Sequence, residues 1–173
     1  MRVLLIASLL SAALMSAPCA FAADTGAMDE NNLPPKTFAT PAEIQALIAK
    51  AAANHKPGTF SSEYIAALAP YHVNLEYRTT ATPPAVHLKE AELIYVIQGT
   101  GTLTVGGTMD NSKPGKPGNL GGTGITGGTD QPLAPGGFAF VAEGTPHWFS
   151  AVTGQGPLVT MAFHVPRPLP AAK

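Results

Sequence analysis

The chain has 173 residues, a formal net charge of −1 at pH 7 and a single cysteine, and 45% of its residues are hydrophobic. No run of basic residues appears, which argues against nucleic acid and anionic membrane surfaces as partners. One cysteine cannot form an internal disulfide, so a hydrophobic core must stabilise the fold. These properties are typical of a single soluble domain.

Residues 1–22 have the pattern of a secretory signal peptide. A short basic start precedes an apolar stretch from Val3 to Met15, and Ala20-Phe21-Ala22 matches the small-x-small pattern of a cleavage site. The apolar stretch is too short to span a membrane. A lipoprotein signal would use Cys19, but Pro18 stands where a small flexible residue is needed. We therefore expect cleavage near Ala22 and a periplasmic or secreted protein.

A flexible, polar lead-in is predicted over residues 23–39, followed by an N-terminal helix over residues 40–56. Thr40 and Glu43 form a Thr-x-x-Glu capping box, with a proline at the first helical position. Apolar residues then recur at helical spacing, and Pro57-Gly58 ends the helix. The apolar face of this helix must be buried, either against the rest of the chain or across a dimer.

From residue 60 to residue 168 the hydrophobic period changes to two, which predicts β-structure. The segment 71–78 has two faces: one carries Tyr71, Val73, Leu75 and Tyr77, and the other carries His72, Asn74, Glu76 and Arg78. Further strands are predicted at 85–87, 93–98, 101–105, 137–142, 147–152 and 158–165. Residues 61–68 fit either a helix or a strand. Short turns rich in glycine and proline indicate an antiparallel sandwich or barrel.

A glycine-rich segment, residues 106–130, interrupts the strands. It lacks the Gly-Lys-Ser/Thr ending of a phosphate-binding loop. We expect a long loop, with room for a short strand around Leu120 or Ile125. A loop of this length either covers the barrel mouth or is a plain surface linker.

Two histidine segments carry the chemistry. In the first, four residues separate His87 from Glu92, and six more lead to Gly99; in the second, Gly136 and Gly144 precede His147. A histidine and a carboxylate from one hairpin can converge with a histidine from another inside a small barrel. Such a set can bind a divalent metal ion and leave open positions for water or substrate.

These two segments resemble the paired motifs of the cupin superfamily. The first family motif is Gly-x5-His-x-His-x3–4-Glu-x6-Gly and the second is Gly-x5-Pro-x-Gly-x2-His-x3-Asn. This chain departs from them at Ala85, which replaces the first histidine, and at Ala142 and Ala151, and no glycine lies six residues before Ala85. The resemblance implies an all-β, small single-domain bacterial cupin, a double-stranded β-helix or jelly-roll barrel, with one N-terminal helix.

The resemblance further implies that His87, Glu92 and His147 are metal ligands, with iron(II), manganese, nickel or zinc as the ion. The alternative is a metal-free barrel in which these side chains only form hydrogen bonds. His72 becomes a candidate fourth ligand if its face of the strand points inward; the same alternation also fits a face in solvent. Glu90 is near, but the motif spacing favours Glu92 as the inward residue.

Other candidate site residues follow from their positions on the predicted strands. Arg78 is a candidate catalytic residue that would orient an acidic substrate group, or else forms an ordinary surface ion pair. Tyr95 is a candidate proton donor, and packing in the core explains it equally well. His164 on the last strand is either a cavity residue or structural.

The resemblance leaves the reaction open, because a fold does not determine a function. The leading hypothesis is an exported metalloprotein acting on a small oxygenated organic molecule as a lyase, isomerase or dioxygenase. The alternative is a non-catalytic module that binds a sugar or small acid, and a structural role has no support beyond the fold. Pairing into homodimers is an expectation from the family alone.

Overall fold

The computed structural model describes residues 33–167; the predicted signal peptide and the lead-in up to residue 32 lie outside the described residues. Within that range one helix, α1 (Pro41–Asn54), precedes thirteen strands. The strands are β1 (Ser61–Leu68), β2 (Tyr71–Arg78), β3 (Ala85–His87), β4 (Glu90–Gln98), β5 (Thr100–Val105), β6 (Thr108–Asp110), β7 (Lys113–Pro114), β8 (Asn119–Gly121), β9 (Gly124–Thr126), β10 (Thr129–Leu133), β11 (Phe138–Val141), β12 (His147–Thr153) and β13 (Leu158–Pro166). No helix among these residues is long and apolar enough to cross a membrane.

Helix α1 begins at the predicted capping box. The Glu43 N–H donates to Thr40 Oγ1 at 3.2 Å, and the Thr40 N–H donates to Glu43 Oε2 at 2.7 Å. The apolar side of the helix packs on the chain's own β-structure, where Ala51, Ile65 and Leu75 belong to one buried cluster. The apolar side of the helix therefore packs against the barrel that follows it.

The strands form two main antiparallel sheets. Sheet A has the order β1-β2-β13-β4-β11 and sheet B the order β10-β5-β12-β3-β8-β7, while β6 and β9 pair separately. Apolar side chains from both sheets meet in one buried core, with Ile94, Val96, Ala139, Val141 and Leu158 from sheet A and Leu103, Leu133 and Phe149 from sheet B. The rest of the space between the sheets is lined by polar side chains.

Two segments differ from what the sequence indicated. Residues 61–68, which fitted either a helix or a strand, form β1, because they pair with β2 on both sides of a register shift at Ile65. Residues 106–130 contain the short strands β6 to β9 and the start of β10, where a long loop with room for one short strand around Leu120 or Ile125 was expected. Three of these strands extend sheet B: β8 pairs with β3, β7 pairs with β8, and β10 pairs with β5. These short strands are held by hydrogen bonds to other strands. The glycine-rich sequence has no alternation of apolar and polar residues from which they could be predicted.

The outer face of sheet A is only partly covered. Beyond the helix it leaves Tyr95, Phe138 and Phe140 exposed. The end of β4 is fixed by Gly99, which has a φ of +80°, and a Cβ there would collide with the Pro157 carbonyl. The first motif therefore ends on a glycine for a steric reason.

Candidate metal centre

His87, Glu92 and His147 come from both sheets and meet between them. His87 ends β3 and His147 begins β12, both in sheet B, and Glu92 lies on β4 in sheet A. The turn before β12 is tied to β3, because the N–H of Gly144 donates to the carbonyl oxygen of His87 at 2.7 Å. Gly144 has a φ of +75°, which glycine adopts without strain. This turn sets the second histidine beside the first.

The three side chains converge on one carboxylate oxygen. Glu92 Oε2 lies 3.1 Å from His147 Nε2 and 3.6 Å from His87 Nε2. Glu92 is 3% exposed and His147 is 4% exposed. One ligand atom from each residue lies within 4.8 Å of the other two. This arrangement is compact enough for all three to bind one ion.

The hydrogen bonds of the two rings determine which nitrogen faces the carboxylate. His147 Nδ1 lies 3.2 Å from the carbonyl oxygen of Thr145, and a carbonyl only accepts, so Nδ1 carries the proton. His87 Nδ1 lies 3.0 Å from Asn119 Oδ1 and donates in the same way. Each Nε2 can then turn a lone pair towards Glu92.

Facing lone pairs repel unless a cation lies between them. Glu92 Oε2 is buried and has no hydrogen-bond partner among the described residues. A buried carboxylate oxygen of this kind needs a proton or a metal ion as compensation. Two imidazole nitrogens and one carboxylate oxygen suit first-row divalent ions. The residues present therefore fit a divalent metal ion.

The same convergence perturbs the titration of the side chains. Burial acts to lower the pKa of His87, but the Glu92 carboxylate outweighs burial and raises that pKa to about 9. Burial acts to raise the pKa of Glu92, but His147 and His87 hold it well below 4.5. Without an ion, the site therefore keeps a negative carboxylate next to a proton on a histidine.

The candidate fourth ligand, His72, lies elsewhere in the interior. It is buried, so its face of β2 points inward, and its ring stacks on His164 with the centroids 4.8 Å apart. His72 pairs with His164, which pairs with Glu92, so two strand spacings of roughly 5 Å separate His72 from Glu92. Among the described residues, His72 belongs to neither group of three possible ligands. Ala85 lines the cavity beside His147 where the motif has its first histidine.

Beside the three ligands lies a cavity of about 720 Å³, and the polar face of β2 forms one of its walls. Arg78 is 3% exposed, and its Nη2 donates to Glu76 Oε2 at 2.6 Å. Its guanidinium lies over the ring of Phe149, 3.7 Å from the centroid, and 4.8 Å from that of Phe60. Arg78 therefore forms a buried ion pair in the cavity wall and not a surface ion pair.

Tyr95 does not reach the cavity, so it is not a proton donor there. Glu92, Ile94 and Val96 point inward along β4, and the period of two turns Tyr95 outward. Its side chain is 43% exposed and lies opposite Phe138 on the outer face of sheet A.

A second polar pair was not predicted. His164 Nδ1 lies 3.3 Å from Glu90 Oε2 at the cavity wall. The contact with His164 lowers the pKa of Glu90; burial acts to lower the pKa of His164, but Glu90 and the nearby Glu92 outweigh burial and raise it. The sequence feature that could have indicated this pair is the period of two in β4, which puts Glu90 on the same face as Glu92.

No family model matches the chain, and no curated protein matches it. Solved structures do match. An uncharacterized protein with a double-stranded β-helix domain from Klebsiella pneumoniae is 14% identical over 78% of this chain and 93% of that one, with a TM-score of 0.51. KdgF from Halomonas sp. is 17% identical over 66% of this chain and 85% of that one, with a TM-score of 0.47. A cupin protein from Bacteroides fragilis is 10% identical over 82% and 92%, with a TM-score of 0.47.

The double-stranded β-helix of the Klebsiella pneumoniae structure agrees with the sheet order found here and shows the fold. The chain has the cupin fold, an all-β double-stranded β-helix, as the sequence resemblance predicted. The described residues also contain histidine and glutamate groups that could hold a metal ion.

Proposed function

We propose that this protein is an exported cupin metalloprotein that binds one divalent metal ion and acts on a small oxygenated organic molecule. His87, Glu92 and His147 are the ligands. The observation that carries the proposal is the buried Oε2 of Glu92, which has no hydrogen-bond partner in the described part of the chain and faces two Nε2 atoms at 3.1 and 3.6 Å. A metal ion bound there would polarise a carbonyl or enolate oxygen, or lower the pKa of a bound water.

The chain's own residues prepare the site. Asn119 and the Thr145 carbonyl fix the protons of His87 and His147 on Nδ1, which leaves both Nε2 atoms free to bind the ion. This arrangement reduces the reorganisation that metal binding requires. Ala85 brings no ligand, so exogenous oxygen ligands have access on that side of the cavity.

The size and polarity of the cavity support a small polar substrate. A volume of about 720 Å³ lies within the range of small-molecule sites. Arg78 would hold an acidic or hydroxyl group of the substrate, with Glu76 keeping the guanidinium in place. The Arg78–Glu76 pair in the cavity wall is compatible with lyase, isomerase and dioxygenase reactions. Export rests on the signal-type sequence of residues 1–22, and cell fractionation tests it.

Metal analysis with a matched pair of variants tests the ligand set. The wild-type protein, loaded with Zn²⁺ and dialysed, should retain close to one ion per chain. Glu92→Gln keeps the shape but removes the charge and should weaken binding by more than about a hundredfold, because even orienting residues contribute 10- to 100-fold. Glu143→Gln, at an exposed glutamate in the turn before β12, should bind like wild type. Equal binding by both variants would contradict the proposal.

Restoring the missing motif histidine gives a gain-of-function test. Ala85 lines the cavity and pairs with His147, so Ala85→His adds a fourth ligand on the correct strand. We expect Zn²⁺ affinity to rise at least about tenfold, equivalent to about 1.4 kcal/mol. The measurement is a competition titration against a chromophoric chelator. Unchanged affinity in a folded Ala85→His protein would argue against an ion at this position.

One observation favours a second candidate, a non-catalytic module that binds a sugar or small acid. The Arg78 guanidinium is already paired with Glu76, an arrangement that can hold a polar ligand by hydrogen bonds. Calorimetric binding of a sugar or acid by protein that retains no ion after loading would support the module over the metalloprotein.

A further inference from the structure

A second group of possible ligands lies in the same cavity. His87, Glu90 and His164 each offer one ligand atom within 4.8 Å of the other two. This group shares only His87 with the group formed by His87, Glu92 and His147. Two different ligand sets thus meet at one histidine.

Glu90 and His164 already face each other. The Glu90 carboxylate lies 3.3 Å from His164 Nδ1, and that nitrogen has no hydrogen-bond partner among the described residues. His164 is 7% exposed, so its Nδ1 is a buried polar atom directed at a carboxylate. A cation between the two atoms would satisfy both of them.

The ring of His164 is held in this orientation by its neighbours. It stacks on His72 with the ring planes 16° apart, and it meets the ring of His87 edge-on, with the centroids 5.2 Å apart. Few side-chain torsions would have to change for an ion to bind. The arrangement is therefore organised in advance in the same sense as the first group.

The two groups differ in depth. Glu90 and Glu92 point to the same face of β4, two residues apart, but the side chain of Glu92 is 3% exposed and that of Glu90 is 29% exposed. The group with Glu92 is the deep position and the group with Glu90 is the outer position. His87 stands between them and can serve either one.

We propose that the barrel offers a divalent metal ion two alternative positions, and that His87, Glu90 and His164 form the outer one. His87 Nδ1 is engaged by Asn119, which leaves one nitrogen, Nε2, for a metal ion. The two positions therefore compete for His87, and each chain binds one ion at a time. The deep position is that of the proposed function; the outer position depends on it only through the shared histidine.

Variants that remove one position at a time test this proposal, with Co²⁺ alone as the probe. His147→Ala removes only the deep position, and His164→Ala removes only the outer one. We expect each single variant to bind one Co²⁺ per chain, His147→Ala about a hundredfold more weakly than His164→Ala, and to show a visible absorption spectrum different from the other's. The double variant should bind Co²⁺ more than about a hundredfold more weakly than either single variant.

The controls separate this proposal from the proposed function. Glu90→Gln in the His147→Ala background should weaken binding as His164→Ala does, and His147→Asn serves as a second deep-position variant if the alanine variant does not fold. The outer position is overturned if folded His147→Ala or His147→Asn protein binds no Co²⁺, or if adding Glu90→Gln leaves its affinity unchanged. The proposed function fails separately, if His164→Ala protein binds no Co²⁺ while His147→Ala protein does.

Discussion

The two faces of strand β2 are both covered by other parts of the protein, yet they have opposite chemistry. Val73, Leu75 and Tyr77 pack in the cluster beneath helix α1, whereas His72, Asn74, Glu76 and Arg78 line the cavity. The sequence shows the alternation but does not determine which face is inside. The structure shows that the polar face is inside the barrel and the helix buries the apolar face. A period of two therefore identifies two faces of a strand, and the elements packed on each face decide where they lie.

The largest effect should come from a cavity on the apolar face. Leu75 is fully buried between sheet A and the helix. Leu75→Ala should lower the free energy of unfolding by about 4 kcal/mol, within the range for buried leucines. Leu68→Ala on β1, where the side chain is 53% exposed, should change it by less than about 0.5 kcal/mol. Urea denaturation measures both, and similar effects would mean that the helix does not cover β2.

On the polar face, removal of one partner from the buried ion pair should have the next largest effect. Glu76→Ala leaves the guanidinium of Arg78 buried without a carboxylate. We expect a loss of about 3 kcal/mol, near the lower end for buried pairs because the cavity admits water. Glu63→Ala removes a partner of the exposed Lys50 and should cost at most about 1 kcal/mol. Equal losses in urea denaturation would show that Arg78 is solvated.

Metal binding should raise the free energy of unfolding by a smaller amount, and the free metal concentration sets that amount. An ion that binds only the folded state adds about 2.7 kcal/mol when its free concentration is about 100 times the dissociation constant. Wild-type protein should therefore unfold at a higher temperature with Zn²⁺ than with a chelator. Glu92→Gln should lose most of this difference at the same Zn²⁺ concentration. A shift that survives in both Glu92→Gln and His87→Ala would place the ion elsewhere.

The sequence predicted the parts of the fold and site that have local signals. The capping box of α1 and the bounds of β2 and β3 follow from residue type and period alone. The convergence of His87 with His147 came from the family resemblance, since nothing local links residues sixty positions apart. The contact between Glu90 and His164 was not predicted, because it depends on the strand order that places β13 next to β4. Strands β6, β7 and β10 were not predicted, whereas β8 and β9 lie where a short strand was expected, around Leu120 or Ile125.

The smallest effect concerns the helix that covers the apolar face. The N–H of Thr40 donates to the Glu43 carboxylate, and Lys36 lies 3.1 Å from it; these contacts lower the pKa of Glu43 from 4.5 to about 2. Because the folded pKa lies below the unfolded one, the contribution is present above pH 4.5 and is lost as the pH falls towards 2. Wild-type protein should therefore lose helix stability over this range.

Glu43→Gln is the matched control, since glutamine can still accept the hydrogen bond from Thr40 but has no charge to titrate. Its free energy of unfolding should lie below that of wild type at pH 6, and the difference should shrink steadily between pH 4.5 and pH 2. Urea denaturation at each pH measures this difference. A difference that stays constant down to pH 2 would mean that the charge of Glu43 contributes nothing, and that the apolar contacts of α1 with β2 alone hold the helix in place.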